Sequence, residues 1–120
     1  MKKIYHLGKC STCQRIIREL KITARNFTLQ EIRSERITAA QLDEMKRLAG
    51  SYEALFSRAA IKYRTLGLAK KKLSERDFRK LILEEDTFLK RPVMIIDGKI
   101  FIGNGKNMIA GAKDCMKDGK

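Results

Sequence analysis

Two cysteines on one helical turn, in Cys10-Ser11-Thr12-Cys13, are the residues of this sequence best suited to chemistry. Thiols at that spacing can join as a disulfide, and the first of them stands where an emerging helix presents unpaired backbone N–H groups. Those groups and the helix dipole favour the thiolate, so the pKa of Cys10 is expected to be depressed. Lys9 and Arg15 add positive charge nearby. Cys13, one turn further in, is better placed to resolve a covalent adduct on Cys10 than to attack first. An inert buried pair and a metal site compete with this redox reading. Cys10, Cys13, His6 and Cys115 supply soft ligands, but no second CxxC or HxxxH sets a recognisable spacing, so no metal is expected.

Other candidates surround the pair. His6, the single histidine, precedes Cys10 near the end of the first expected strand, where it either tunes the thiol or packs as an ordinary strand residue. Pro92 is the single proline, at the start of an apolar run; its peptide bond suits either isomer by sequence. Arg91 and Arg58 carry guanidinium forks able to hold an anion bidentately, although each alone reads equally as a solvated cation. Gly98, Gly103 and Gly105 lack the order of a phosphate loop and are set aside.

The elements that must position these residues follow from periodicity. Lys3-Ile4-Tyr5-His6-Leu7 alternates and meets Gly8, a strand ending in a loop. Ile16, Ile17 and Leu20 then recur at helical spacing, which puts the cysteines on a loop-to-helix junction. Arg25-Asn26-Phe27-Thr28-Leu29-Gln30 alternates again, completing a short βαβ unit with a parallel pair. A helical block follows. Thr38-Ala39-Ala40-Gln41 is a capping box ahead of Leu42, Met45 and Leu48, with Gly50 as the stop. Residues 51–63 predict a further helix or two, and Ser74-Glu75-Arg76-Asp77 opens another over Phe78, Leu81 and Ile82. Val93-Met94-Ile95-Ile96 and Lys99-Ile100-Phe101-Ile102 flank Asp97-Gly98, an antiparallel hairpin signal. Met108, Ala112, Cys115 and Met116 mark a closing helix.

This order predicts an α/β fold: a four-stranded mixed sheet flanked by helices, with a helical insertion at about 38–88 between the βαβ unit and the C-terminal hairpin. It is the layout of a thioredoxin-like domain, and residues 1–120 are expected to form one such domain.

Composition narrows the functional classes. The chain has 120 residues, 43% apolar and 34% charged, enough to bury a core without a disulfide framework. No apolar run approaches a membrane span or a signal peptide, so the protein is expected to be cytoplasmic, where a Cys pair reads as redox-active or metal-binding before structural. Lys and Arg number 27 against 14 Asp and Glu, a net charge of +13 that draws anions, whether a small oxyanion, nucleic acid or an acidic protein surface. Spread as they are, these charges read equally as a solvated face. The densest cluster, Lys70-Lys71-Lys72 with Arg76, Arg79 and Lys80, has no alternating aromatics, which argues against direct nucleic-acid binding.

Taken together, Tyr5-His6 ahead of Cys10, the Cys10-Ser11-Thr12-Cys13 helix start, Leu55-Phe56-Ser57-Arg58 and Leu89-Lys90-Arg91-Pro92-Val93 resemble the arsenate reductase (ArsC)/Spx family of thioredoxin-fold proteins. The resemblance spans nearly the whole chain. It implies a cis bond before Pro92 and a Cys10 thiolate that attacks an oxyanion or disulfide substrate, with Arg58 and Arg91 holding the anion and His6 helping to ionise the thiol. N–H groups at the helix start, at Ser11 and Thr12, would share that anion. No bound cofactor is implied. Electrons would come from an external thiol donor, glutathione with glutaredoxin or, given an internal resolving Cys13, thioredoxin or glutaredoxin directly.

Two departures point the other way within the family. Glutaredoxin-linked reductases carry a Ser-like residue where this chain has Cys13, and a third Arg where it reads Phe101-Ile102-Gly103-Asn104-Gly105. Both features are similar to Spx, a redox-sensing regulator that binds the RNA polymerase α subunit, although the longer C-terminal tail typical of Spx does not follow here. The expectation is an arsenate reductase-like thiol-disulfide oxidoreductase with Cys10 as nucleophile and Cys13 as resolving thiol. The alternative is an Spx-like transcriptional regulator.

Overall fold

A computed structural model describes residues 1–118 of the chain. They pack as two compact units: Met1–Arg36 together with the chain from Arg91 onward, and Ile37–Lys90.

The first unit is built on a four-stranded sheet. Strand β1 (Lys2–His6) leads to helix α1 (Ser11–Glu19) and returns as β2 (Thr28–Glu31), parallel to β1. Strands β3 (Val93–Ile96) and β4 (Lys99–Ile102) close the sheet in the order β2-β1-β3-β4, with β3 antiparallel to both neighbours. The hairpin turn lies where the sequence places it. Asp97 and Gly98 both have positive φ, 49° and 83°, the backbone that a two-residue turn between twisted strands requires. All four residues of β3 are buried, as a continuous apolar run in an inner strand demands. One core gathers Ile4, Ile16, Leu20, Phe27, Met94 and Ile96 with Ala112 of the last helix.

Three sequence expectations shift here. The second strand starts at Thr28, not Arg25, because Asn26 turns the chain: its Oδ1 accepts the Thr23 N–H at 2.7 Å and its amide donates to the Lys21 carbonyl at 3.1 Å. Those local bonds compete with the ladder. The first strand ends at His6, since the Leu7 carbonyl is taken by the Cys10 N–H at 3.0 Å. The closing helix α5 runs over Lys106–Asp118, and Met108 is 42% exposed on it. Ile109, Cys115 and Met116 pack against the core beside Ala112, so the stripe begins at Ile109.

The second unit is helical. Helix α2 (Ala39–Ala49) opens on the expected capping box, with Thr38 Oγ1 accepting the Gln41 N–H at 3.1 Å, and stops at Gly50, whose φ of 98° suits a residue without Cβ. Residues 51–63 hold less helix than their apolar spacing suggests: a 3₁₀ turn at Glu53–Leu55 and the start of the short α3 (Ile61–Thr65). Helix α4 (Glu75–Glu84) has its own box, Ser74 with Asp77. Phe56 anchors this unit, its ring stacked on Phe88 with centroids 5.1 Å apart and tilted against Phe78 at 4.9 Å. Asp43 of α2 is bridged to Arg79 of α4 at 2.9 Å. Among the described residues no helix is long and apolar enough to cross a membrane.

Candidate functional site

Cys10 is the N-cap of α1, in extended backbone, with its sulfur beside the first N–H groups of the helix. Burial pushes the Cys10 thiol up, but the Cys13 backbone N–H, the Cys13 thiol, the Thr12 N–H and the charge of Arg91 together outweigh it, and the net shift is downward. That is the thiolate stabilisation expected of a helix start.

Cys13 behaves in the opposite sense. It is fully buried, and burial pushes its thiol up to about 11; hydrogen bonding to Cys10 and the Cys10 charge push the same way, against the Leu7 backbone and Arg91. The Cys10 thiol is shifted toward the thiolate, and its neighbour is held as a thiol that donates to it. Both cysteines are free, as is Cys115. At neutral pH, limiting iodoacetamide is expected to label Cys10 well before Cys13 or Cys115, which peptide mass mapping reads directly. Equal labelling of Cys10 and Cys13 would contradict the asymmetry.

The turn that presents Cys10 is tied down on both sides. Gly8 N–H donates to the Glu31 carboxylate at the end of β2 at 2.7 Å, and the Gly8 carbonyl accepts from the Gln14 side-chain amide of α1 at 2.6 Å. Neither Glu31 nor Gln14 is marked by any sequence motif. Their part comes from the parallel register, which sets Glu31 opposite His6, and from the helix turn that brings Gln14 back over Gly8.

The remaining expected residues fall as follows. His6 closes β1, and burial lowers its pKa against the raising charge of Glu31, so the imidazole is biased toward its neutral form. Ser11 and Thr12 are the first residues of α1, where N–H groups lack intrahelical acceptors. Arg91 precedes β3, and its bond to Pro92 is cis, as the family resemblance implies. Its charge lowers both the Cys10 and the Cys13 thiol, and its Nη1 is buried with no hydrogen-bond partner. Arg58 belongs to the helical unit, where it pairs with Glu53 at 2.9 Å and lies over the Phe78 ring at 5.6 Å. Cys115 stands apart from the pair, its sulfur 3.6 Å from the Ile96 carbonyl. Among the described residues no group of three His, Cys, Asp or Glu side chains is gathered to hold a metal.

Comparison with known proteins bears on the family and the fold. The model of the ArsC family matches residues 5–111. A curated relative, the global transcriptional regulator Spx 2 of Bacillus anthracis, is 28% identical over 86% of this chain and 79% of its own. An arsenate reductase from Vibrio cholerae superposes with a TM-score of 0.77 at 18% identity, covering 92% of this chain and 95% of that one. A structure described as a possible arsenate reductase from Streptococcus mutans gives a TM-score of 0.70 at 28% identity, over 88% of this chain and 92% of that one.

Proposed function

The chain belongs to the ArsC family, and from that premise we propose that it is a thiol oxidoreductase of the arsenate-reductase type, with Cys10 as nucleophile and Cys13 as resolving thiol. The observation that carries this reading is Arg91: close enough to both thiols for its charge to lower them, it keeps a buried Nη1 without a partner. A guanidinium held that way beside a thiolate suits a tetrahedral oxyanion presented to the sulfur.

The chemistry balances without a bound cofactor. The Cys10 thiolate attacks the pentavalent arsenic of a monoanionic arsenate, and one arsenate oxygen leaves as water after taking up two protons. The Cys13 sulfur, losing its proton, then attacks Cys10 Sγ. The S–As bond breaks, its electron pair stays on arsenic, and arsenite departs as the Cys10–Cys13 disulfide forms. One dithiol and one arsenate thus become one disulfide, one arsenite and one water. An external dithiol donor, thioredoxin or a glutaredoxin fed by glutathione, returns the pair to thiols. The N–H groups of Ser11 and Thr12 would share the anion's charge, and His6 would favour ionisation of Cys10. The part expected for Arg58 in holding the anion rests on the family resemblance. A reducing, cytosolic setting is part of the same reading, because the donor must be at hand.

Arsenate-dependent NADPH oxidation, driven by either the thioredoxin or the glutathione–glutaredoxin couple and blanked with Cys10→Ser, tests it. Turnover above the blank identifies both the reductase and its donor; none with either couple ends the arsenate reading. A second reading is favoured by the relative named as an Spx regulator and by the presence of Cys13 itself. In it the Cys10–Cys13 pair is a switch, and the chain binds the RNA polymerase α subunit in only one redox state. Pull-down of purified α subunit by the oxidised and reduced chain separates the two readings.

A further inference from the structure

We propose that Glu31 is a positioning residue for Cys10: its carboxylate spans from the turn before the nucleophile to its own loop and so sets the angle at which the chain enters α1. This deepens the reading of Cys10 as nucleophile and rests on it.

The hydrogen bonds use both carboxylate oxygens. Oε2 accepts the Gly8 N–H at 2.7 Å, while Oε1 accepts the Ser34 N–H at 2.7 Å and the Ser34 hydroxyl at 2.9 Å. An ionised carboxylate is acceptor-only on both oxygens. Glutamine would turn an NH₂ donor toward one of these donors, and aspartate, shorter by a methylene, would not reach both. The contact with Gly8 is close: a Cβ there would come within 3.3 Å of Glu31 Cγ. Gly8 is held from the other side by Gln14, and the Cys10 N–H by Leu7. These turn bonds hold the chain where it enters the helix. The N–H groups of Thr12 and Cys13 that lower the Cys10 thiol depend on that start.

The donors also keep Glu31 ionised, its pKa held down to about 2 by the Gly8 and Ser34 N–H groups. Its folded-state pKa is depressed, so the clamp's contribution to stability is whole above the ordinary value of about 4.3 and is lost as pH falls toward about 2. The clamp is therefore intact at any physiological pH.

A charge effect and a geometric effect have opposite signs here. A carboxylate acting only as a negative charge near the thiolate raises the thiol pKa, so its removal would speed alkylation of Cys10 at neutral pH. A carboxylate acting through the turn does the reverse. The test reads two quantities on the full chain for wild type, Glu31→Gln and Glu31→Asp, each first checked for cooperative folding by circular dichroism. One is hydrogen exchange of the Gly8 amide; the other is the pH profile of Cys10 alkylation, resolved from Cys13 and Cys115 by peptide mass. In both variants Gly8 exchange is expected to quicken and Cys10 alkylation at neutral pH to slow, each by about tenfold. Faster alkylation in Glu31→Gln with wild-type behaviour in Glu31→Asp would make Glu31 a charge and overturn the proposal, as would wild-type profiles in both. A wild-type Cys10 titrating as an ordinary thiol would instead overturn the nucleophile reading. The clamp would then stand or fall on Gly8 exchange alone, with unchanged protection in both variants overturning it.

Discussion

Cys10→Ser is expected to remove all arsenate-dependent turnover, and Cys13→Ser to stop it half-way. The hydroxyl that replaces the Cys10 thiol would gain no comparable ionisation from the Thr12 and Cys13 N–H groups, since its own pKa lies far above any thiol's. In the proposed mechanism Cys13 has a different job, which the two shifts suit. Burial holds its thiol up at about 11, and the charge on Cys10 adds to that. While Cys10 is a free thiolate, Cys13 stays protonated and does not compete for the oxyanion. Once the Cys10 sulfur is bonded to arsenic its charge is gone, and one of the causes raising Cys13 goes with it. Cys13 becomes the stronger nucleophile at the moment an adduct exists for it to attack. In Cys13→Ser the adduct has no internal exit, so turnover with the thioredoxin couple should fall by about a hundredfold or more. Intact mass of the variant after arsenate should show the oxyanion or a donor thiol held on Cys10. Glutathione, which can attack the adduct from outside, should restore part of the rate. Unchanged turnover of Cys13→Ser with every donor would refute the resolving role.

Much of this arrangement was legible in the residues because each signal was local. Thr38 with Gln41, Ser74 with Asp77, Gly50 and Asp97-Gly98 each carry their structural consequence within four residues, and each stands where its chemistry puts it. The sheet followed from two such signals, a βαβ unit and a hairpin, since few topologies accommodate both. Local patterning misled in two ways. Asn26 offered the backbone another partner and took the alternating stretch at 25–27 out of the strand, and Met108 kept helical spacing while facing water. Residues 51–63 show another limit, with the buried Leu55 and Phe56 on a 3₁₀ turn and its C-cap rather than on a long helix.

The site divides along the same line. Cys10, Cys13 and their helix start were visible as a motif, and so was the Arg91-Pro92 pair. Glu31 was not, because its hold on Gly8 exists only once β2 lies parallel to β1 with Glu31 across from His6. Nothing at sequence positions 28–34 distinguishes that glutamate from other solvated acids. A residue whose role is to position another through a cross-strand bond is invisible until the register is known.

Arg91→Ala should weaken the site in two separable ways. The buried Nη1 has no hydrogen-bond partner, so the guanidinium has capacity for an anion without first giving up a protein contact. Hydrogen bonds to charged groups are worth about 1.5–3 kcal/mol, and each 1.4 kcal/mol is a factor of ten, so loss of the fork should raise the KM for arsenate by about 10- to 100-fold. The same side chain lowers both thiols by its charge. Arg91→Ala should therefore also move the Cys10 alkylation profile to higher pH. Arg91→Lys divides the two effects: a lysine restores the positive charge and most of the thiol shift, but as a point charge it lacks the planar fork that matches two oxyanion oxygens. The expected pattern is a recovered Cys10 profile with a KM still raised. If KM is unchanged in Arg91→Ala while the thiol profile shifts, Arg91 serves the sulfur alone, and the oxyanion must be held by other groups. If the profile is unchanged while KM rises, Arg91 meets the substrate but does not ionise the nucleophile, and the thiolate owes its stability to the N–H groups of α1.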